Sequence, residues 1–248
     1  MWKMKIGNKL LRLTNLVKML FSKEVIIVYQ MGKVGSTSLY NNIKRSTTVP
    51  VIQIHRLRLV PGTFVNRGGV RFQLRKIWVY VIKKAIRNKN IKIISVTRNP
   101  IKRNISDFFQ TLDHFIKVNE LNVKQLKTDE LIEIFLTQYP QYSSISWFYE
   151  QVEKYFEINV YESKLLKKNK IAKFKNKNVE LLVFRIEDIK ERMLEIEGFL
   201  GFDIGELKRD NSAEKKWYGD VYANFINEFE PHRLNYLKDT QYYEFFYK

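Results

Sequence analysis

The sequence predicts an α/β protein with a central parallel sheet flanked by helices. Short apolar runs rich in Val and Ile alternate along the chain with longer segments of helical periodicity, which is the pattern of repeated strand–helix–strand units. Only five Pro and ten Gly occur among the 248 residues, which leaves little room for a disordered linker. We therefore predict a single domain over residues 24–248, preceded by a basic amphipathic segment over residues 1–23.

Four predicted strands and the helices between them account for most of the chain. The runs VIIVY, VPVIQI, IKIISV and NVELLVF are typical of buried strands and cover residues 25–29, 49–54, 91–96 and 178–184. Apolar residues at helical spacing predict a helix that begins near residue 39 and helices over residues 70–87, 101–118, 128–139, 145–156, 189–200, 214–228 and 234–246. Gly201 directly follows one of these helices and predicts a left-handed cap.

The charge balance favours acidic partners but does not choose among them. Lys and Arg number 44 against 26 Asp and Glu, for a formal net charge of +18. Phosphates, nucleic acid, anionic lipid and acidic glycans would all suit this surplus. The lysines are spread along the chain together with many Asn and Ile, so base-composition bias in the genome explains the charge equally well. Charge alone is therefore no evidence for a nucleic-acid partner, and we predict none.

The absence of cysteine excludes disulfides and thiolate metal sites. A chain without cysteine fits a reducing compartment, and we expect a cytoplasmic protein. Its three histidines, His55, His114 and His232, are far apart and form no ligand-spaced pair. We therefore predict no metal site.

The first 23 residues alternate basic and apolar side chains. Gly7 and the polar interruptions break any signal-peptide core, and no apolar run in the sequence reaches membrane-spanning length. The segment could lie on the inner membrane surface as an amphipathic helix and give a peripheral association. Alternatively it packs on the domain or frays.

The loop that follows the first predicted strand has the composition of an anion-binding loop. Small residues let backbone N–H groups approach an anion closely, and the following helix adds the positive end of its dipole. Lysine supplies a mobile charge, and three hydroxyl side chains supply further donors. The candidate phosphate-binding residues are Gly32, Lys33, Val34, Gly35, Ser36, Thr37 and Ser38.

The spacing within this loop differs from that of nucleotide triphosphatases. Their motif places lysine directly before the Ser or Thr hydroxyl, whereas Lys33 stands three residues before Ser36. The alternative to a phosphate site is an ordinary Gly/Ser turn between a strand and a helix.

A second element lies at the end of the third predicted strand, in the run TRNPIKRNIS. Arg98 ends the strand, and Pro100 begins the next helix. Ser106 follows Arg98 by eight residues, so both side chains could converge on one phosphate, which Arg binds as a planar fork. The alternative is a helix-start proline beside a surface arginine.

Together these motifs resemble those of sulfotransferases that use 3′-phosphoadenosine-5′-phosphosulfate (PAPS). Lys-x-Gly-Ser/Thr-Ser/Thr after a strand resembles their 5′-phosphosulfate loop, and Arg98 with Ser106 resembles their 3′-phosphate site. The late run LLVFRIEDI…FLG is also similar to a strand, acidic turn and helix of that family. The resemblance implies a P-loop-related, sulfotransferase-like fold, with PAPS as donor, 3′-phosphoadenosine 5′-phosphate (PAP) as product and no metal.

Three further stretches resemble a bacterial group of capsular polysaccharide synthesis proteins with a Lys-Trp-Tyr signature. These stretches are SWFYEQVEKYFEINVY, NSAEKKWYGDVYANF and LNYLKDTQYYEFFYK. The chain departs from the usual pattern at Gly32, where Pro is commoner, and at Gly219, where Ser is usual. This resemblance implies a carbohydrate acceptor and an aromatic-rich helical tail.

Transfer to a hydroxyl requires a base that removes the hydroxyl proton and cationic donors that stabilise the charge developing on the leaving phosphate. His55 follows the second predicted strand at the edge where open α/β sheets bind ligands, and its ordinary pKa suits a general base. We predict His55 and Lys33 as the catalytic residues. His114 and His232 are weaker candidates for the base, and Glu187 is expected to be mainly structural.

The Lys-Trp-Tyr stretch could cover the donor. Lys215 and Lys216 could neutralise phosphate, as the closing loop of related enzymes implies. The alternative is an amphipathic helix, and we expect Trp217 to belong to the core.

Two other classes of protein remain alternatives. One is a phosphate-loop nucleotide-binding protein or small-molecule kinase, which the spacing of the loop disfavours. The other is a basic module that binds membrane or nucleic acid, which would explain the charge but not the paired phosphate motifs.

Overall fold

A computed structural model describes residues 17–58, 70–122, 125–207 and 216–248. Its centre is a five-stranded sheet in the order β2-β1-β3-β5-β4. The strands are β1 Glu24–Tyr29, β2 Val51–Ile54, β3 Asn90–Thr97, β4 Ile171–Asn176 and β5 Val179–Arg185. Strands β2, β1, β3 and β5 are parallel, which confirms the predicted α/β architecture. All four strands predicted from sequence are present, with ends shifted by one or two residues.

Strand β4 was not predicted from the sequence. It pairs antiparallel with β5 through a tight turn at Lys177 and Asn178, and it forms the edge of the sheet. Ile171 and Ala172 are buried, but Lys173 and Lys175 project to solvent and dilute the apolar signal. Lysines on an edge strand disfavour the addition of a further strand. The exposed lysines that obscured the strand pattern in the sequence are therefore typical of an edge strand.

Helices cover both faces of the sheet, and several differ in length from the prediction. Their bounds are α1 Thr37–Ser46, α2 Val70–Ile86, α3 Pro100–Gln110, α4 Leu112–Val118, α5 Thr128–Gln138, α6 Lys154–Phe156, α7 Lys164–Asn169, α8 Met193–Leu200, α9 Gly219–Glu228 and α10 Gln241–Tyr247. Gly201 caps α8 in the left-handed conformation with φ of 88°, as predicted.

Three helices predicted as continuous are interrupted. The one predicted over residues 234–246 is divided at Thr240, between a 3-10 stretch, Pro231–Asp239, and α10. The predicted helix over residues 101–118 divides at Thr111, whose φ of −105° and ψ of 12° depart from helical values and whose N–H is shared between the carbonyls of Asp107 and Phe108. The segment predicted as a helix over residues 145–156 contains a π-helical stretch, Phe148–Glu153, before α6. These wider turns aim the buried side chain of Gln151 at the sheet, where it accepts hydrogen bonds from the backbone N–H groups of Leu57 and Arg58.

The aromatic-rich tail is part of the apolar interior. Tyr242 and Phe246 of α10 pack with Phe148, their ring centroids lying 6.4 and 5.6 Å from it. A second apolar cluster joins α3, α4, α5 and α9, where Phe108 and Phe225 lie 6.1 Å apart. Within the described ranges, no helix is both long enough and apolar enough to cross a membrane.

The segment predicted to be amphipathic lies mostly outside the described residues. Residues 1–16 are not described, so membrane association through residues 1–23 remains a prediction. Residues 17–21 are helical, and their side chains Val17, Leu20 and Phe21 are exposed.

Candidate active site

The loop between β1 and α1 has the strained backbone of an anion-binding turn. It leaves the centre of the sheet and ends where α1 begins at Thr37. Lys33 and Gly35 adopt positive φ values of 71° and 76°. For a lysine this left-handed conformation is unfavourable, and such strain is concentrated at functional sites. The turn places Lys33 and Gly35 beside the N-terminus of α1, where the helix dipole favours an anion.

The side-chain amides of Gln30, which is buried, and Gln53, which is partly buried, orient the hydroxyl of Ser36 within the loop. Ser36 Oγ accepts hydrogen bonds from Gln30 Nε2 and, at 3.1 Å, from Gln53 Nε2. Because both amides donate, the hydroxyl proton of Ser36 can be donated elsewhere. Gln30 Oε1 is buried and has no hydrogen-bond partner among the described residues. The part of the loop around Ser36 is therefore polar, and among the described residues not all of its hydrogen-bonding capacity is used.

Two arginines hold the loop from the side of β3. Arg98 Nη1 donates to the carbonyl of Lys33 at 2.7 Å, and Arg103 Nε donates to the carbonyl of Gly32 at 3.1 Å. With its carbonyls turned toward these arginines, the loop is free to direct backbone N–H groups elsewhere. Sequence reasoning did not assign Arg103 to the site, although the residue lies within the second motif.

Arg103 is buried and fully engaged. Its guanidinium also donates to Tyr139 Oη at 2.9 Å and forms a 3.2 Å ion pair with Asp107. Asp107 in turn accepts a 2.7 Å hydrogen bond from Tyr139. Arg103 is thus a positive charge fixed beneath the loop by Asp107, one turn further along α3, and by Tyr139, which is distant in sequence.

The C-terminal helix fixes the backbone of Arg98. Tyr242 Oη donates to the Arg98 carbonyl at 2.9 Å and accepts from its N–H at 3.2 Å. Glu187 accepts from the Asn99 N–H at 3.0 Å and from Tyr247 Oη at 3.2 Å. Asn99 caps α3 by accepting from two backbone N–H groups. These contacts give Glu187 the structural role expected for it.

The electrostatics around Lys33 favour an anionic ligand. Burial lowers the pKa of the Lys33 ammonium, and Lys216, Arg98 and Arg103 lower it further, while Asp107 opposes them. Burial also lowers the pKa of the Arg98 guanidinium. A bound anion would relieve both the repulsion and the loss of hydration. The side chains of Lys33, Arg98 and Lys216 therefore form a cationic group around the loop.

The other residues predicted to bind the sulfuryl donor differ in their exposure to solvent. Val34 is buried, so it could contact a ligand only through its backbone, whereas Thr37 is exposed and Ser38 is half-buried. Ser106 is half-buried on α3, without a hydrogen bond to Arg98; its contribution to a phosphate site remains a prediction. Lys215 lies outside the described residues, and Lys216 is exposed.

The expectation that Trp217 belongs to the core is wrong. Trp217 is 55% exposed, whereas its neighbour Tyr218 is buried against Phe109, with ring centroids 5.6 Å apart. The helix that was predicted to begin at residue 214 begins at Gly219. Tyr218 therefore anchors the segment before α9, and Trp217 is left facing solvent next to Lys216.

His55 lies where β2 ends, on the other side of the loop from Arg98. Its Nδ1 is 3.0 Å from the Gln30 carbonyl, and the carbonyl of His55 accepts from Trp147 Nε1 at 2.9 Å. Since a carbonyl only accepts, Nδ1 carries the proton and Nε2 presents a lone pair. His55 is exposed to solvent, although protein groups surround part of its ring.

Two effects compete on the pKa of His55. Desolvation by the surrounding protein lowers the pKa of the imidazole, and Arg75 and Arg103 lower it further. The hydrogen bond to Gln30 and the charge of Asp107 oppose this shift without overcoming it. The neutral form is therefore favoured at neutral pH, and Nε2 can accept a proton. His114 lies against the Phe115 ring, and His232 is exposed on the surface near Glu230.

These features define an α/β protein with a cationic, glycine-containing loop at the carboxyl edge of its sheet. Residues 14–221 match the family described as the sulfotransferase domain. The chain therefore belongs to the sulfotransferase domain family, whose members are enzymes that transfer a sulfuryl group.

Comparison with individual proteins adds little to this assignment. None of the curated proteins compared with the chain matches it. Among solved structures, mouse sulfotransferase SULT7A1 complexed with PAP aligns with a TM-score of 0.42 and 18% sequence identity. The alignment covers 90% of this chain and 86% of that chain.

Proposed function

We propose that this enzyme transfers the sulfuryl group of PAPS to a hydroxyl of a carbohydrate acceptor and releases PAP. The acceptor we propose is a bacterial capsular or surface polysaccharide or glycolipid, and the compartment is the cytoplasm. The resemblance of the Lys-Trp-Tyr stretch and the Tyr-rich tail to capsular polysaccharide synthesis proteins supports this acceptor class.

One observation carries the proposal. Lys33, Arg98 and Lys216 bring positive charge to one loop, whose lysine is held with φ of 71° and a lowered pKa. Asp107 offsets the charge at Lys33, and Glu187 offsets that at Arg98, but Asp107 is already bound by Arg103. A site built in this way is unfavourable without an anion, and PAPS presents phosphates and a phosphosulfate at two points that match the two motifs.

The proposed chemistry is a direct transfer. The acceptor hydroxyl oxygen attacks sulfur, a new oxygen–sulfur bond forms, and the bond between sulfur and the bridging phosphate oxygen breaks. Nε2 of His55 takes the hydroxyl proton, and PAP departs with the electron pair of the broken bond. Lys33 and the N–H groups of the loop stabilise the charge that develops on the leaving phosphate.

Ligand-dependent thermal unfolding tests the donor assignment. PAP at about 100 times its dissociation constant should add roughly 2.7 kcal/mol to the free energy of unfolding, because it binds only the folded state. ATP with Mg²⁺ should add little. Stronger stabilisation by ATP with Mg²⁺ than by PAP would instead support a phosphate-loop kinase.

The acceptor class is tested by transfer of radiolabelled sulfate from PAPS. Capsular polysaccharide should become labelled, whereas a tyrosine-containing peptide and a simple phenol should not. Labelling of the phenol or peptide alone would contradict the proposed carbohydrate acceptor.

The Arg98→Ala variant tests whether Arg98 binds the 3′-phosphate of the donor rather than its 5′-phosphate. We expect its affinity for PAP to fall about tenfold or more, since a charge-assisted hydrogen bond contributes roughly 1.5–3 kcal/mol. Its affinity for adenosine 5′-phosphate should fall far less, although Arg98 also holds the Lys33 carbonyl. Isothermal titration calorimetry measures both. Lys102→Ala is the matched control, because Lys102 is exposed on α3. Equal losses for the two nucleotides would show that Arg98 only supports the loop.

A further inference from the structure

A second group of arginines lies on the side of the loop opposite to Arg98. The strand order β2-β1-β3 places the loop after β1 between the ends of β2 and β3. Arg98 ends β3, whereas Arg56 follows His55 just beyond β2. Arg75, in the second turn of α2, is half-buried as Arg56 is, and its charge lowers the pKa of both His55 and Arg56. The positive charge at this edge is thus divided into two groups.

Arg56 and Arg75 have no ion-pair partner among the residues that the structure describes. Both side chains are half-buried, and neither forms an ion pair or a hydrogen bond with any residue that the structure describes. Other arginines nearby are paired: Arg58 lies 3.5 Å from Glu150, and Arg103 lies 3.2 Å from Asp107. Half-burying an unpaired charge is costly, so such a residue is better explained by a ligand than by stability.

The electrostatic surroundings of the two arginines also favour an anionic ligand. Burial lowers the pKa of both guanidinium groups, and Arg75 and Arg103 lower that of Arg56 further. Asp107 and the Tyr29 phenol act in the opposite direction on Arg56. Asp107, however, already binds Arg103 and Tyr139. The surroundings of His55 and Arg56 therefore carry positive charge in excess.

We propose that Arg56 and Arg75 form an acceptor subsite that binds a carboxylate or sulfate ester next to the hydroxyl that is sulfated. The acceptor is accordingly an acidic glycan rather than a neutral one. This inference rests on the proposed function, because it takes the His55 side of the loop as the acceptor side. An acidic acceptor must approach an anionic donor, and two cations beside the reacting hydroxyl offset that repulsion.

Binding of acidic and neutral glycans to the PAP-saturated enzyme tests the subsite. Titration with alginate oligosaccharides, which carry a carboxylate on every sugar, should give measurable affinity, and dextran of equal length should not bind. The double variant Arg56→Gln with Arg75→Gln should bind alginate at least about tenfold more weakly, the scale of one lost charge-assisted hydrogen bond. The variant Arg56→Lys with Arg75→Lys should recover part of this loss, because the charges are kept.

A matched control excludes a general effect of charge. Lys84 and Arg87 are exposed cations at the other end of α2, so Lys84→Gln with Arg87→Gln removes the same charge away from His55. This control should bind alginate as the wild type does. An equal loss in the control, equal affinity for dextran, or no binding of alginate by the wild type would overturn the proposal.

Binding of PAPS and PAP distinguishes an acceptor subsite from a site for the sulfuryl group of the donor. If the arginines held the sulfuryl group itself, the double variant would lose affinity for PAPS while keeping its affinity for PAP, and the acceptor subsite would be wrong. Failure of the wild type to bind PAP would contradict the proposed function instead. Alginate binding to the free protein that depends on Arg56 and Arg75 would then still support an acidic-glycan site.

Discussion

The His55→Ala variant is expected to lose activity by about 10²–10⁴-fold, the typical contribution of a general base. The reason is geometric: Nδ1 is committed to the Gln30 carbonyl at 3.0 Å, which leaves Nε2 to receive the proton of the acceptor hydroxyl. Affinity for PAP should stay near that of the wild type, because the donor is held from the Lys33 and Arg98 side. Steady-state kinetics and calorimetry measure the two quantities.

The acid side of the pH profile should report the same residue. The pKa of His55 is lowered from 6.5, so the neutral base persists at neutral pH and the rate should fall only as pH drops through that lowered value. This acid limb should be absent in His55→Ala.

Two further variants separate a base from a structural histidine. Asparagine in His55→Asn can still donate to the Gln30 carbonyl but cannot act as a base, so this variant should be as inactive as His55→Ala. His232→Ala, which changes an exposed histidine, should remain fully active. Near-normal activity of His55→Asn would show that the ring serves only to brace the loop.

The Lys33→Ala variant is expected to lose about 10²–10³-fold in turnover, the scale observed when one donor to a developing charge is removed. Donor affinity should also fall, because Lys33 neutralises the phosphosulfate before the transfer as well as during it. The loss in turnover should exceed the loss in binding, and single-turnover kinetics with PAPS distinguish them.

Conservative and control variants define what Lys33 contributes. Lys33→Arg keeps the charge and should recover part of the rate, whereas Lys33→Gln keeps the length and should not. Arg45→Ala, at the exposed end of α1, should behave as the wild type. Unchanged binding and turnover in Lys33→Ala would remove the loop from the donor site.

The sequence by itself determined the elements whose signal is local. β1, β3 and β5 are continuous apolar runs, and each of the two motifs occupies fewer than a dozen consecutive residues directly after a strand. The carboxyl ends of parallel strands meet at one edge, so the order of strands and motifs already placed Lys33, His55 and Arg98 there. The wrong expectation for Trp217 came from the same local logic, since helical spacing alone does not distinguish a buried aromatic side chain from its exposed neighbour.

The tertiary structure decided which side chains complete the site. Tyr242 bonds to Arg98 across 144 residues of chain, and Arg103 bonds to Gly32 across 71. The charge of Arg75 on α2 acts on Arg56, which lies beyond the end of β2. β4 was not predicted from the sequence, because its lysines give this edge strand a composition similar to that of a loop. Such contacts depend on where whole elements pack against one another, and a sequence records that packing only in the sum of many weak apolar preferences rather than in any short pattern.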